Sequence, residues 1–146
     1  MATLTAINTL TELVTRQSED AAIRLGHANK AKEEANQKLS LLEDYRATYA
    51  EQLQNRMARG LTVNDFANFQ KFLASLDLAI TQQKQVLQNT DQLVEKQRNE
   101  WQQHERKRLS FNTLSKRAEI KLQKQENKRE QKQTDEHAAR IKMVKL

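Results

Sequence analysis

Two glycines and no proline in 146 residues restrict the fold of this chain more than any other feature. β-Sheets and α/β folds need many tight turns, and tight turns depend on glycine and proline. Only Gly26 and Gly60 are available for that purpose. The rest of the sequence is rich in Gln, Lys, Glu, Ala, Leu and Arg, which are good helix formers. We therefore expect an all-α protein built from long helices.

The balance of apolar and charged residues limits both the core and the choice of compartment. Hydrophobic residues make up 37% of the chain and charged residues 30%, so we expect burial along narrow seams between helices. No apolar run is longer than three residues, which predicts neither a membrane span nor a signal peptide. Cysteine is absent, which excludes disulfides and fits a reducing compartment. We expect a cytoplasmic protein.

Apolar residues recur every seven residues in both halves of the chain. In the first half, the two predicted seam positions are Ile7, Val14, Ala21, Ala28, Ala35, Leu42 and Tyr49, and Leu10, Gln17, Arg24, Ala31, Lys38, Tyr45 and Gln52. In the second half, they are Phe66, Leu73, Ile80, Leu87, Val94 and Trp101, and Phe69, Leu76, Gln83, Thr90, Gln97, His104, Phe111 and Ala118. A seven-residue repeat of this length predicts helices that pair as a left-handed coiled coil.

A break in this repeat at residues 59–62 predicts a sharp turn between the two helices. Gly60 can end a helix in the left-handed conformation. Thr62, followed three residues later by Asp65, has the form of a capping box that starts the next helix. A connection this short makes the two helices antiparallel neighbours. The predicted fold is a long antiparallel two-helix coiled-coil hairpin.

The hairpin is predicted to be a single coiled-coil domain over residues 1–146, with helix 1 at about 3–58, the turn at 59–62 and helix 2 at about 63–140. Pairing across Gly60 makes the numbers of facing residues add up to about 121, so residue 3 faces residue 118. Residues 119–146 then overhang without a partner. A polar single helix is marginal in water, so we expect the overhang to fray or to be ordered by a partner.

Residues that carry catalysis are missing from the sequence. His27, His104 and His137 are too scattered for a metal site. The two glycines are too far apart for a phosphate-binding loop. A two-helix hairpin also lacks the concave pocket that catalysis needs. We expect no enzyme activity, no cofactor, no bound metal and no small-molecule substrate.

Aromatic and apolar residues gather on both predicted helices near the turn. The pairing places Leu42, Tyr45 and Tyr49 opposite Phe72, Leu76 and Ala79. One interpretation is that these residues only pack the thick end of the coiled coil. The other is that a two-stranded seam is too narrow to enclose them all, so that part of their area stays exposed as a partner site.

Positive charge is concentrated in one segment of the second helix. Residues 96–132 hold twelve Lys and Arg residues against five Asp and Glu residues, whereas the whole chain has a net charge of +6. This segment is either a solvated surface or a contact surface for an acidic partner. Nucleic acid is the less favoured partner, because only Trp101 and Phe111 accompany the charges and both fall near the seam.

Apolar residues return at the end of the chain, in residues 138–146. This segment is either a frayed tail or, together with Leu4, Ile7 and Leu10, the far tip of the hairpin. In the second case the tip could insert into a partner.

The sequence resembles the FliJ family of flagellar coiled-coil proteins. The resemblance rests on Leu42, Tyr45 and Tyr49, on the turn glycine Gly60, and on Phe69-Gln70-x-Phe72 followed by Leu76 and Ala79. It implies a non-catalytic stalk of the flagellar type III export apparatus, located peripherally at its cytoplasmic face. It also implies that the stalk inserts into the hexameric export ATPase FliI, promotes its assembly, and contacts the export gate FlhA and export chaperones.

Two binding surfaces follow from this resemblance and from the predicted hairpin. The resemblance implies an export-gate surface made of Leu42, Tyr45, Tyr49, Phe72, Leu76 and Ala79. Beside it, Lys38 and Gln83 depart from the family pattern, which has Gln and His there. For the ATPase ring, the tip opposite the aromatic residues favours Leu10, Leu13, Arg106, Arg108, Arg117, Lys121 and Lys124.

Two other functions stay open at this point. One is the equivalent stalk of a virulence type III secretion system, which sequence alone hardly separates from the flagellar one. The other is a basic coiled coil that binds nucleic acid, for which binding would depend steeply on salt. The sequence also leaves open whether the chain is a monomer or a dimer.

Overall fold

The computed structural model describes residues 2–145, which are helical almost throughout. Helix α1 spans Ala2–Arg59 and helix α2 spans Val63–Val144, and no strand occurs in residues 2–145. The two helices pack against each other as a hairpin, which confirms the predicted all-α fold. Their contacts form two compact units. Unit 1 contains the described residues of Met1–Asp20 and Gln102–Leu146, and unit 2 contains Ala21–Trp101.

The turn between the helices depends on Gly60. Its φ angle of +100° lies in the left-handed region, where a side chain would be strained. Its amide donates a 3.3 Å hydrogen bond to the carbonyl of Met57, which closes the end of α1. At the start of α2, the amide of Asp65 donates a 3.2 Å hydrogen bond to Oγ1 of Thr62. The predicted helix end and helix cap are therefore confirmed.

In unit 2 the seam is built from mostly small side chains on α1 and larger side chains on α2. The buried α1 side chains are Ala21, Ala28, Ala35, Leu39 and Leu53, and the buried α2 side chains are Phe69, Leu76, Ile80, Gln83 and Val94. Gln83 is accommodated because its amide nitrogen donates a 2.9 Å hydrogen bond to the carbonyl of Ala35. The alanines contribute little buried area, so α1 is held mainly by its leucines in this unit.

The seam positions predicted for helix 2 are confirmed. All of their side chains are buried or half-buried except Phe66, which lies beside the turn. In helix 1, the first predicted position is also confirmed within each unit, since Val14, Ala21, Ala28 and Ala35 are buried.

The second seam position predicted for helix 1 is wrong. Its members Leu10, Gln17, Arg24, Lys38, Tyr45 and Gln52 are exposed, and Ala31 is only half-buried. The seam instead uses the residues one place later, such as Ser18, Leu39 and Leu53, which are buried. In a seven-residue repeat, the second seam residue can follow the first by either three or four residues. The spacing of the first position alone does not tell which applies. Polar residues such as Ser18 and Arg46 at the true position concealed which division applies.

The predicted pairing register is confirmed within each unit. In unit 2, Gln83 bonds to Ala35, and in unit 1, Ser18 bonds to Glu105, so that the numbers of partners add up to 118 and 123. In unit 1, residues 3 and 118 line the same hollow, and every described residue from 123 to 145 is exposed, as the predicted overhang requires. Met1 and Leu146, at the limits of the predicted domain and of the apolar end at 138–146, lie outside the described residues.

Candidate functional site: an aromatic surface and a basic surface

Four aromatic rings form a continuous cluster between α1 and α2 in unit 2. The ring centroid of Tyr49 lies 4.8 Å from that of Phe69 and 4.5 Å from that of Phe72. Tyr45 meets Phe72 edge-on at 6.0 Å and stacks with Tyr49 at 6.5 Å. These separations are typical of favourable aromatic pairs. The cluster therefore holds the two tyrosines in fixed positions against α2.

Helical spacing explains why these rings meet. Tyr45 and Tyr49 are four residues apart and lie on one face of α1, and Phe69 and Phe72 are three residues apart on α2. Tyr49 and Phe69 occupy seam positions, whereas Phe72 directly precedes the seam residue Leu73. Tyr45 and Phe72 consequently lie on the same flank of the seam.

The structure divides the six predicted gate residues into exposed and buried members. Tyr45 is 54% exposed and Phe72 is 37% exposed. Leu42, Tyr49 and Ala79 are half-buried, and Leu76 is only 8% exposed. Tyr45 and Phe72 thus provide most of the accessible aromatic area, while Leu76 supports them from below. We call this set of six residues the aromatic surface. An exposed aromatic cluster of this kind is typical of a protein–protein interface.

Four residues that hold the aromatic surface in place were missing from the predicted site. Phe69 is the most buried ring of the cluster and contacts Tyr49, and the guanidinium of Arg56 lies 5.5 Å from the Phe69 centroid. Arg46 and Asp77 form an ion pair across the seam, with a second hydrogen bond of 3.4 Å. The sequence signal that could have identified this ion pair is that the two residues have opposite charges. Their residue numbers also add up to about the sum predicted for facing residues.

In the ion pair between Arg46 and Asp77, each side chain stabilises the charged form of the other. The hydrogen bond from Arg46 lowers the pKa of the Asp77 carboxyl, and the same bond raises the pKa of Arg46. Both side chains are open to solvent, so salt screens their attraction. The pair therefore serves to align α1 and α2 beside the aromatic surface more than to stabilise the fold.

In unit 1 a polar network crosses the seam. Ser18 Oγ donates a 2.6 Å hydrogen bond to Oε2 of Glu105, and Arg108 donates to both carboxylate oxygens of Glu105, at 3.0 Å from its Nε. The hydrogen bonds from Arg108 and then from Ser18 lower the pKa of Glu105 to about 2. Arg108, which was predicted to bind the ring, is therefore engaged in an ion pair within the chain.

The other residues predicted to bind the ring are exposed in unit 1. They are Leu10, Leu13, Arg106, Arg117, Lys121 and Lys124. Arg117, Lys121 and Lys124 follow at intervals of four and three residues and so share one face of α2, which we call the basic surface. Lys121 also lines an open hollow with Leu4 and Leu122. The basic surface therefore lies beside the first turns of α1.

The two surfaces offer different kinds of contact. The aromatic surface suits apolar docking of a protein, and the basic surface suits an acidic partner. Within residues 2–145, no group of three His, Asp or Glu side chains is placed to hold a metal ion. Neither helix, over its described length, contains a stretch apolar enough to cross a bilayer.

Comparison with known proteins finds similarity along nearly the whole chain. The family profile described as "Flagellar FliJ protein" matches residues 3–145. A relative named "Flagellar FliJ protein" from Escherichia coli (strain K12) is 34% identical over 140 residues, covering 96% of this chain and 95% of the relative. A relative of the same name from Salmonella typhi is 31% identical over 140 residues, with the same coverage. The matched range contains the positions of both the aromatic surface and the basic surface.

Proposed function

Because the chain belongs to the FliJ family of flagellar proteins, we propose that it is a non-catalytic component of the flagellar protein export apparatus. In this proposal the protein is a coiled-coil stalk that acts as a single domain at the cytoplasmic face of the apparatus. It inserts into the hexameric export ATPase FliI and promotes the assembly and activity of the ring. It also links the ring to the export gate FlhA and to export chaperones. The observation that carries the proposal is the family match over residues 3–145.

The aromatic surface is the proposed contact for the export gate. Its support is the exposure of Tyr45 and Phe72 over an otherwise packed cluster. Rigid aromatic side chains lose little conformational freedom on binding, and they commonly dominate the affinity of an interface. In this proposal Tyr45 and Phe72 contact the gate directly, and Tyr49 and Leu76 hold them in position.

The gate contact can be tested with a matched pair of double variants. Tyr45→Ala with Phe72→Ala should weaken binding to the cytoplasmic domain of the gate by about tenfold or more, because each removes exposed aromatic area. The control is Ile23→Ala with Leu78→Ala, which removes exposed apolar side chains elsewhere in unit 2. Isothermal titration calorimetry measures the affinity. Equal weakening by both double variants would show that the aromatic surface is not the contact.

The basic surface is the proposed contact for the ATPase ring. Its support is the shared face of Arg117, Lys121 and Lys124 beside Thr3 and Leu4 of α1, together with the exposure of Leu10 and Leu13 in the same unit. Exposed charges of one sign attract a partner of the opposite sign, and this attraction weakens with salt. We therefore expect ring binding to be sensitive to salt and gate binding to be much less so.

Stimulation of a purified cognate ATPase tests the ring contact. The wild-type chain should raise the hydrolysis rate of the ATPase, and Arg117→Glu, Lys121→Glu and Lys124→Glu together should abolish most of that increase. The control is Lys30→Glu, Lys71→Glu and Lys84→Glu, which makes the same change of charge on exposed lysines of unit 2. If the wild-type chain has no effect on the ATPase, the stalk proposal fails. If both triple variants lose the effect equally, the basic surface is not the specific contact.

The two other functions left open by the sequence gain no support. Both relatives carry a flagellar name, which favours the flagellar system over a virulence system. Trp101 and Phe111 are half-buried, so within the described residues 96–132 the basic side chains have no fully exposed aromatic ring beside them on which bases could stack. A flagellar stalk therefore remains the single proposed function.

A further inference from the structure

The two sides of the seam in unit 1 differ in charge. Each residue turns a helix by about 100°, so residues that directly precede a seam residue and residues that directly follow one lie on opposite flanks of the seam. The seam residues of unit 1 are buried or half-buried, and they are Leu4, Ile7, Thr11, Val14 and Ser18 on α1 and His104, Arg108, Phe111, Ser115, Ala118 and Leu122 on α2.

An open hollow between the helices marks one flank. Thr3 directly precedes Leu4 on α1, and Lys121 directly precedes Leu122 on α2. All four residues line the same hollow. The residues that precede the seam on α1 therefore lie on the same flank as those that precede it on α2.

Two hydrogen bonds between the helices mark the other flank. Ser18 donates to Glu105, and Ser115 donates a 2.7 Å hydrogen bond to Oδ1 of Asn8. Glu105 and Asn8 each directly follow a seam residue. In both bonds the residue numbers of the partners add up to 123, which defines the register of unit 1.

The flank with the hollow carries cations around a group of leucines. Leu10 is 44% exposed, Leu13 is 50% exposed and Leu114 is 47% exposed. In this register Leu10 faces residue 113 and so lies beside Leu114. The charged residues of unit 1 that directly precede a seam residue are Lys107, Arg117, Lys121 and, at the end of the α1 segment, Asp20. We call this side the cationic flank.

The opposite flank carries mainly carboxylates, and we call it the acidic flank. Leu109 is 53% exposed and is the one apolar residue that directly follows a seam residue in unit 1. The charged residues that directly follow a seam residue are Glu12, Glu19, Glu105, Glu119 and Lys116. The two flanks of unit 1 therefore have opposite net charge.

The cations of the cationic flank have no partner within the chain. Lys107, Arg117 and Lys121 are exposed, and among residues 2–145 none of them has a carboxylate within 4 Å. Asp20 is the single carboxylate on this flank, so it offsets at most one of the three charges. An acidic partner can consequently pair with these side chains without breaking an existing ion pair.

We propose that unit 1 meets the ATPase ring through the cationic flank alone, and that the ring presents to it an apolar surface edged by carboxylates. This inference rests on the ring contact proposed above, and it adds Lys107 and Leu114 as contact residues. An apolar centre fits because three leucines are exposed among the cations, and acidic edges fit because those cations are unpaired. The contact spans about 21 Å along α2, from Lys107 to Lys121. The acidic flank takes no part in it.

A second copy of this chain is a poorer occupant of the cationic flank. Two cationic flanks facing each other would bring Lys107, Arg117 and Lys121 against the same three cations. The acidic flank of a second copy has the opposite charge, but it offers Leu109 alone to cover three leucines. The phosphates of a nucleic acid would pair with the cations and leave the leucines uncovered.

Two pairs of matched variants of the full-length protein test the proposal. Lys107→Glu and Lys116→Glu make the same change of charge on opposite flanks. Leu114→Ser and Leu109→Ser remove similarly exposed leucines on opposite flanks. Biolayer interferometry on the immobilised cognate ATPase measures the affinity, and circular dichroism confirms that each variant stays helical.

Only the variants of the cationic flank should lose affinity. Lys107→Glu and Leu114→Ser should each weaken binding about fivefold or more, whereas Lys116→Glu and Leu109→Ser should stay within about twofold of the wild type. The loss in Lys107→Glu should shrink as salt is added, and the loss in Leu114→Ser should persist. A photo-crosslinking amino acid at position 114 should crosslink to the ATPase far more than one at position 109.

The outcomes separate this inference from the proposed function. If the wild-type chain binds and stimulates the ATPase but both members of a pair lose affinity equally, or both positions crosslink equally, the one-flank contact fails and the stalk function stands. If the wild-type chain neither binds nor stimulates the ATPase, both fail. Loss in Lys107→Glu without loss in Leu114→Ser would also overturn the inference, because a purely electrostatic partner such as a nucleic acid behaves in that way. Self-association of the wild-type chain that disappears in Leu114→Ser would assign the flank to a second copy instead.

Discussion

Phe69 and Tyr45 belong to one aromatic cluster, but their removal should affect stability very differently. Phe69 is 8% exposed and packs 4.8 Å from Tyr49, centroid to centroid. Truncation of a buried phenylalanine loses its transfer free energy and leaves a cavity. For Phe69→Ala we therefore expect the free energy of unfolding to fall by about 3–5 kcal/mol.

Tyr45→Ala should lower the free energy of unfolding much less than Phe69→Ala. Tyr45 is 54% exposed, so roughly half of the transfer free energy of about 2 kcal/mol is lost. The edge-on contact with Phe72 adds about 0.5–1 kcal/mol. No closed cavity forms, because the site opens to solvent. We expect a loss of about 1–2 kcal/mol, which leaves a gap of roughly 1–4 kcal/mol between the two variants.

Urea unfolding measures this gap. Circular dichroism follows the helices, and the fluorescence of Trp101, the one tryptophan of the chain, follows unit 2. The slope of the free energy of unfolding against urea concentration should be the same in both variants, so their midpoints can be compared directly as stabilities. If Tyr45→Ala destabilises as much as Phe69→Ala, the aromatic surface is core throughout. No part of it would then be free for a partner, and the reasoning behind the gate contact would be refuted.

Two further changes test other parts of the structure. Gly26 is exposed within α1, and no atom lies within 4 Å of an added Cβ, so Gly26→Ala should raise the free energy of unfolding by about 1 kcal/mol; a lower urea midpoint would contradict this. Glu105 has a pKa of about 2 in place of its ordinary 4.5, and a lowered pKa contributes stability that is present above pH 4.5 and is lost as the pH falls towards 2. The difference in urea midpoint between the wild type and Glu105→Gln should therefore be largest at neutral pH and shrink between pH 4.5 and 2. A difference that does not change with pH would contradict the network of Glu105 with Arg108.

The seam was predictable where apolar residues occupy both seam positions and the neighbouring positions are less apolar. In α2, residues such as Leu73, Leu76 and Ile80 fill both seam positions, so the repeat could be divided in only one way. In α1, the true second position holds Ser18 and Arg46, and the sequence pattern favoured the neighbouring position instead. Polar residues at a seam are tolerated when they find partners across it, and this depends on the opposite helix.

The candidate site was predictable in its location and not in its details. Opposed aromatics near a short turn must meet, so the cluster followed from the pairing register. The sequence could not divide the cluster into the exposed Tyr45 and the buried Leu76, because exposure depends on which flank of the seam a side chain occupies. The single-domain organisation and the partners of each surface stay predictions.

The network of Ser18, Glu105 and Arg108 affects how unit 1 responds to a pull along its axis. A slip of α2 against α1 by one heptad would keep similar residues in contact but would carry Glu105 about 10 Å away from Ser18. The hydrogen bonds that Ser18 donates to Glu105 and that Ser115 donates to Oδ1 of Asn8 are satisfied at one alignment alone. These hydrogen bonds oppose sliding of the two helices along each other. A displacement imposed on α1 or α2 within unit 1 is therefore transmitted to the other helix.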